Sequence, residues 1–321
     1  MKILLLGATG LLGRNVLDVL LARGIEVRAL VRSALEVPGV EMVKGSILSF
    51  EDLLASAEGC DAIVNCAGTT DMKLPSASDF YPVNRDLPKM LCEVATRCGI
   101  GVLIHTSTAN TIVTGSSEHP SDENAPFGPP YDKSPYAISK KAGEDALLEY
   151  GATHPELRLV IVNPGFMLGA YDSKPSSGQM VLLGWKKPLI FVTRGAKSIL
   201  HVRDAAAAIS NALEKGSGRY LRTGECIKLK DYYRLQAKVC GYRQLCIEFP
   251  NWIVDRVGRI GHILGLIGIH NDIYPHNVRQ LEYEEWYTCA RARRELGYTL
   301  TPVEDAIRDF VKWYYGVEVN D

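Results

Sequence analysis

Tyr136 and Lys140 stand four residues apart in the run Ser134-Pro135-Tyr136-Ala137-Ile138-Ser139-Lys140. Pro135 suits a first helical position with Ser134 as its cap, so phenol and ammonium fall on one helix face. An ammonium near a phenol favours the phenolate and lowers its pKa from about 10, as proton exchange near neutral pH requires. Taken alone, the pair reads as well as a solvated helix face. Its place after the hydroxyl-rich Thr106-Ser107-Thr108 raises it above that reading. So does a second feature at the start of the chain. Glycines fall at 7, 10 and 13 in Gly7-Ala8-Thr9-Gly10-Leu11-Leu12-Gly13, between an apolar run and an amphipathic one. Glycine permits a tight turn and lets a pyrophosphate approach backbone amides at a helix N-terminus. Gly7, Thr9, Gly10, Leu11, Leu12 and Gly13 are therefore the expected dinucleotide contacts. Arg32 follows the second apolar run, where an acid would read ribose hydroxyls and a guanidinium suits a 2′-phosphate. NADP(H) is favoured on that ground, with Arg14 a second phosphate candidate. NAD(H) is the alternative if Arg32 is a solvated loop residue.

These groups need a scaffold. Apolar runs without alternation at Lys2–Leu6, Glu26–Val31, 40–43, Ala62–Asn65, Val102–Thr106 and 157–162 predict strands. Helical patterns cover 11–23, 51–57, 79–98 and about 135–150. Alternation of this kind predicts a doubly wound parallel sheet, an α/β Rossmann domain over 1–165, with ligands beyond the carboxyl ends of the strands. After Pro164 the pattern changes. Residues 166–321 read as a smaller, mostly helical and mainly substrate-binding part, with 198–215 returning to the first domain. Helices are expected at 205–213, over the apolar stretch 252–269 and from Pro302 to about Tyr314. A short strand is expected at 219–221, and Gly297-Tyr298 marks a helix end.

With these motifs in place, the chain resembles the short-chain dehydrogenase/reductase superfamily in its extended branch, the NAD-dependent epimerase/dehydratase group. Within it the chain looks most like dihydroflavonol-4-reductase-like proteins. The resemblance spans nearly the whole length. The glycine turn has that branch's form, and Asn65-Cys66-Ala67-Gly68 looks like its strand-four signature. His201-Val202-Arg203-Asp204-Ala205 and Arg293-Arg294-Glu295-Leu296-Gly297-Tyr298 look like later segments of the group. The resemblance implies that Tyr136 is the general acid/base, that Lys140 binds the nicotinamide ribose and lowers the tyrosine pKa, and that Thr108 holds the substrate oxygen. Thr106 and Ser107 are alternatives to Thr108. It also implies cofactor contacts from Cys66, Ala67, Gly68 and Thr106, and from Pro164 and Met167 in the segment that packs against the nicotinamide. Asn84 lies where relatives place a site-holding asparagine; helix packing explains it equally well. Two departures matter. Val113 stands where plant flavonol reductases carry an asparagine, against a true flavonol reductase. Ser46 replaces the usual acid after strand three, leaving adenine contacts to Ser46 and Ile47.

Composition narrows the partners. Lys plus Arg is 36 against 37 for Asp plus Glu, which removes the whole-chain argument for nucleic acid. The eight cysteines form no C-x-x-C and no zinc spacing, so no metal is expected and the thiols read as reduced and cytoplasmic. The stretch 252–269 holds Asp255, Arg256, Arg259 and His262, a poor membrane span. Core or lid packing is its leading reading, ahead of membrane-surface contact. The expected partner is a small-molecule carbonyl or alcohol, handled by a monomer or homodimer. NADP(H)-dependent carbonyl reduction is the leading activity. Alternatives are an NAD-dependent sugar-nucleotide epimerase or dehydratase, a 3β-hydroxysteroid dehydrogenase-like enzyme and, last, a non-catalytic cofactor sensor.

Overall fold

A computed structural model describes residues 1–33, 36–267, 269, 273–297 and 300–319. Its first half alternates strands and helices: β1 (Lys2–Leu6), α1 (Leu11–Ala22), β2 (Glu26–Val31), β3 (Val40–Lys44), α2 (Phe50–Ala57) and β4 (Ala62–Asn65). Then follow α3 (Ala77–Tyr81), α4 (Leu87–Arg97), β5 (Val102–Thr106), α5 (Pro135–Thr153) and β6 (Arg158–Pro164). Six of the strands lie where the apolar runs place them. All pair in parallel, with β10 (Gly218–Arg222) as the seventh, in the order β10-β6-β5-β4-β1-β2-β3. The order reverses at β1, where β2 lies on one side and β4 on the other. A crevice opens beyond the carboxyl ends there.

Both faces are covered, which explains the unbroken apolar strands. On one face α1 and α7 (Val202–Ala212) pack together, with Leu17, Leu20, Ala205 and Ile209 in one core. On the other, Leu53, Leu91 and Leu147 of α2, α4 and α5 cover Leu4, Ile63 and Leu103.

The predicted single helix over 79–98 is three pieces. α3 runs through a π-helical turn, Pro82–Asp86, into α4. Pro82 and Pro88 lack the N–H that would continue the α-helical ladder. The widened turn aims Asn84 inward, fully buried.

The C-terminal part is mainly helical and adds two small sheets. β7 (Phe166–Leu168) pairs in parallel with β9 (Ala196–His201), and β11 (Glu225–Lys228) lies antiparallel on β9. β8 (Leu189–Val192) pairs in parallel with β12 (Leu245–Glu248). Around them stand α6 (Gln179–Gly184), α8 (Leu229–Val239), α9 (Asn251–Leu266), α10 (Pro275–Arg279), α11 (Ala290–Glu295) and α12 (Val303–Tyr315). α11 ends at Glu295 with Leu296 as its C-cap, and Gly297 follows at φ +78°, so the helix stops at the predicted glycine; Tyr298 lies outside the described residues.

Candidate active site

The glycine turn is built for close approach. Gly7 has φ +79°, and a Cβ there would sit 2.6 Å from the Ala67 nitrogen. A Cβ at Gly13 would sit 2.0 Å from the Gly7 carbonyl oxygen, so α1 and the turn touch backbone to backbone. Gly10 is exposed, and a Cβ there would meet only the Gly7 oxygen, at 3.6 Å. Gly10 caps α1 without a side-chain bond, and the first turn carries no acid. The helix amides and the positive end of its dipole thus face open space beside Thr9 and Gly10. Leu11 and Leu12 start α1, Leu12 buried in the core. This cradle fits a pyrophosphate.

Arg32 is exposed one residue past the end of β2. Arg14 is engaged elsewhere. It pairs with Asp18 at 3.3 Å and lies over the Tyr171 ring at 5.2 Å. Ser46 is exposed, and its N–H donates to the Asp52 carboxylate at 2.7 Å. An acid therefore stands at this turn after all, supplied by α2 and not by the loop. Ile47 packs against the core under α2.

The loop after β4 is fixed by a buried pair. Asn65 Nδ2 donates to His105 Nδ1 at 3.0 Å, and Asn65 Oδ1 accepts from the Ala67 N–H at 3.0 Å. Burial holds the imidazole well below its ordinary pKa, so it stays neutral. Burial likewise pushes the Cys66 thiol up to about 12, with the Thr106 hydroxyl 3.8 Å from its Sγ. Gly68 lies close under the ammonium: a Cβ there would be 3.1 Å from Lys140 Nζ.

Thr108, Tyr136 and Lys140 converge beyond β5. Thr108 caps a short 3₁₀ turn, Ala109–Thr111, accepting from the Asn110 N–H at 3.2 Å. Ser134 caps α5 with Pro135 at its start, as the sequence predicts. Lys140 is buried, and its Nζ donates to the Thr106 carbonyl at 3.0 Å. Burial pulls the ammonium down to about 8, against the Glu144 carboxylate, which favours the charge. Tyr136 corrects one expectation. Its phenol is pushed up to about 12, not down. Burial dominates; the Thr108 hydrogen bond opposes it, and the buried Glu144 charge adds to it. Ser107 sits between, its buried hydroxyl unpartnered among the described residues. Pro164 ends β6, and Met167 in β7 packs partly buried against the core below.

Beneath these groups lies a network that spacing alone does not reveal. Glu144, fully buried, accepts from Thr111 Oγ1 at 2.8 Å, from Asn163 Nδ2 and from Arg219 at 3.2 Å. Asn163 also donates to the Thr108 carbonyl at 3.1 Å. Asn84 accepts from the Thr69 N–H at 2.9 Å and donates to Ser139 Oγ at 3.0 Å, tying the loop after Gly68 to the helix of Tyr136 and Lys140. Glu144 follows Lys140 by four residues, the one signal that could have found it.

A cavity of about 580 Å³ opens beside the segment leading into α5. Pro129, Pro130 and Lys133 form one wall, and His262, Leu266 and Tyr274 form the other.

Residues 3–221 match the NAD dependent epimerase/dehydratase family. Sterol demethylase protein B of Methylococcus capsulatus is 28% identical over 98% of each chain. The 4-hydroxy-2-methyl-3-oxo-4-farnesyl-3,4-dihydroquinoline-1-oxide ketoreductase of Stigmatella aurantiaca is 27% identical over 93% of this chain and 92% of its own. A putative dihydroflavonol 4-reductase of Synechocystis is 25% identical over 96% and 93%. In fold, the chain is similar to gox2253 (TM-score 0.83, 24% identity, 98% of each chain). It is similar also to the Thermus thermophilus UDP-glucose 4-epimerase in complex with NAD (TM-score 0.77, 20% identity, 98% and 99%).

Proposed function

The chain belongs to the NAD dependent epimerase/dehydratase family and is an NAD(P)-dependent oxidoreductase of CH–OH and carbonyl groups; from that premise we propose that it reduces a carbonyl on an apolar ring substrate with NADP(H). The observation that carries this reading is the convergence of Thr108, Tyr136 and Lys140 beyond β5, beside Gly68. When bound, the cofactor supplies the hydride. Gly7, Thr9, Gly10, Leu11, Leu12 and Gly13 would hold its pyrophosphate, Arg32 its 2′-phosphate, and Ser46 and Ile47 would border its adenine. Cys66, Ala67, Gly68, Thr106, Pro164 and Met167 would line the nicotinamide end, and the Lys140 ammonium would hold the ribose.

Tyr136 Oη gives its proton to the carbonyl oxygen as that oxygen gains charge. Thr108 Oγ1 hydrogen-bonds the same oxygen. Tyr136 keeps its proton at neutral pH and can donate it to the carbonyl oxygen. The cavity lined by Tyr274 and four prolines suits an apolar body. Sterol demethylase protein B and the farnesyl-bearing quinoline ketoreductase carry such substrates in their names. Those names, with the 3 beta-hydroxysteroid dehydrogenase/Delta 5-->4-isomerase of Mycobacterium tuberculosis among the relatives, favour a second reading: 3β-hydroxysterol oxidation by the same groups in reverse.

The test is a fluorescence titration with NADPH, NADP⁺, NADH and NAD⁺, followed by turnover on ketosteroids, prenylated ketones and nucleotide sugars. Tyr136→Phe should lower turnover by about 10²-fold or more with cofactor affinity nearly intact. Arg32→Asp should weaken NADPH far more than NADH. Full activity of Tyr136→Phe overturns its role. Tightly retained NAD⁺ with nucleotide-sugar turnover overturns the reductase reading.

A further inference from the structure

Helix α9 is oriented against the usual rule for an amphipathic helix. Its small residues face the protein and its large apolar ones face out. Gly258 lies so close to α10 that a Cβ would be 3.0 Å from the Pro275 Cα, and one at Gly265 would be 2.7 Å from the Tyr274 ring. Val254 is buried on the same inner side. Trp252, Ile260, Ile263, Leu266 and Ile267 are all exposed, the last two by 73% and 68%. At 3.6 residues per turn, these five fall within about 120° of arc. Arg256 and Arg259, also exposed, lie inside that arc, and Arg256 sits over the Trp252 ring at 5.8 Å. No acid shares it, since Asp255 turns aside to Arg279 at 3.3 Å.

The preceding element repeats the pattern. Leu189 pairs with Leu245 and Phe191 with Ile247 across β8 and β12, and all four are exposed. Exposed Lys186, Lys187, Arg194 and Arg243 flank them, while the nearby Glu248 is paired with Lys230 at 3.2 Å. In a chain of net charge −1, cationic charge is gathered where apolar surface is bare.

We propose that the outer face of α9, with the adjoining β8–β12 face, docks on the surface of an anionic lipid bilayer. The apolar stripe enters the acyl boundary while Arg256 and Arg259 extend to the lipid phosphates, and Trp252 takes the interfacial depth that indoles favour. Among the described residues no helix is long and apolar enough to cross a membrane, so the contact is one of surface lying. A second copy of the chain fits less well. A two-fold contact through this stripe would set its arginines against one another, with no acid on the face to meet them.

Flotation with phosphatidylglycerol-rich and with pure phosphatidylcholine vesicles tests this. The full chain should float with the anionic vesicles and only weakly with the neutral ones. Ile260→Gln/Ile263→Gln/Ile267→Gln should lower anionic partition by roughly tenfold or more. Arg256→Gln/Arg259→Gln should lose the anionic preference. Trp252 emission, isolated by difference from Trp252→Phe, should shift to the blue with anionic vesicles, a reading that stands even if the triple variant fails to fold. Absence of flotation by the wild type, or equal flotation by a folded triple variant, overturns the proposal. So does self-association abolished by the triple variant without vesicle binding, which would assign the face to a second copy.

Discussion

Lys140 sits where burial and a carboxylate pull in opposite directions, and its pH behaviour follows. Folding lowers its pKa from 10.5 to about 8, so between those values the unfolded chain binds more protons than the folded one. Stability contributed by this group therefore rises with pH across that window and is lowest below about 8. Cofactor affinity should move the other way, because the donor that would hold the ribose loses its charge above about 8. Wild-type affinity should fall through that pH, and Lys140→Met should show neither trend. Titrations on both sides of about pH 8, paired with denaturation midpoints, check both signs. Tyr136, Lys140 and Thr108 were legible because residue type and spacing carry their chemistry. Glu144, Asn163 and Asn65 were not, because each matters through a contact between elements. The direction of the Tyr136 shift was illegible for a related reason. Spacing sets an ammonium on the same helix face, but the phenol's pKa is set by burial, the Thr108 hydrogen bond and the Glu144 charge.

At the scale of elements, the π-helical turn and α5 depend on each other. A Cβ at Gly143 would lie 2.1 Å from the Asn84 carbonyl oxygen. Gly143→Ala must push the turn off α5 and loosen the Asn84 bonds to Thr69 and Ser139. We expect a loss of about 1–3 kcal/mol in chemical denaturation, with reduced turnover. Gly101→Ala, with nothing within 4 Å, is the control and should be close to neutral. Five of the six parallel strands of the first half were legible because burial leaves a near-continuous apolar run, whereas the edge strand β3 exposes Glu41 and Lys44. β7, β8, β9, β11 and β12 were not. β7, β8, β11 and β12 hold only three or four residues each, and none of the five leaves a periodic signature. The break in 79–98 was marked by Pro82 and Pro88, yet the amphipathic pattern continues through them.

Across the whole molecule, a buried Lys197–Glu285 ion pair of the C-terminal part is joined to the segment before α5 by the Tyr131 hydroxyl. Glu285 accepts from Lys197 at 2.5 Å, from the Ser198 N–H at 3.0 Å and from the Tyr131 hydroxyl. Lys197→Met leaves that carboxylate buried without its cation and should cost about 3–5 kcal/mol. Lys197→Met/Glu285→Gln should recover much of the loss, and failure to do so would remove the pair from the account. The chain also leaves the main sheet at Pro164, builds β7 to β9, and returns for α7 and β10. Arg23 of the first half donates to the Ser210 carbonyl at 2.8 Å, at the far end of α7. Recombination between relatives therefore has no single clean crossover. Swapping everything after residue 165 would exchange a strand and a helix of the first fold along with the two small sheets and the C-terminal helices. The cavity itself takes Pro129, Pro130 and Lys133 from the first half and Tyr274 and Arg279 from the second, so a single exchange would also part its two walls.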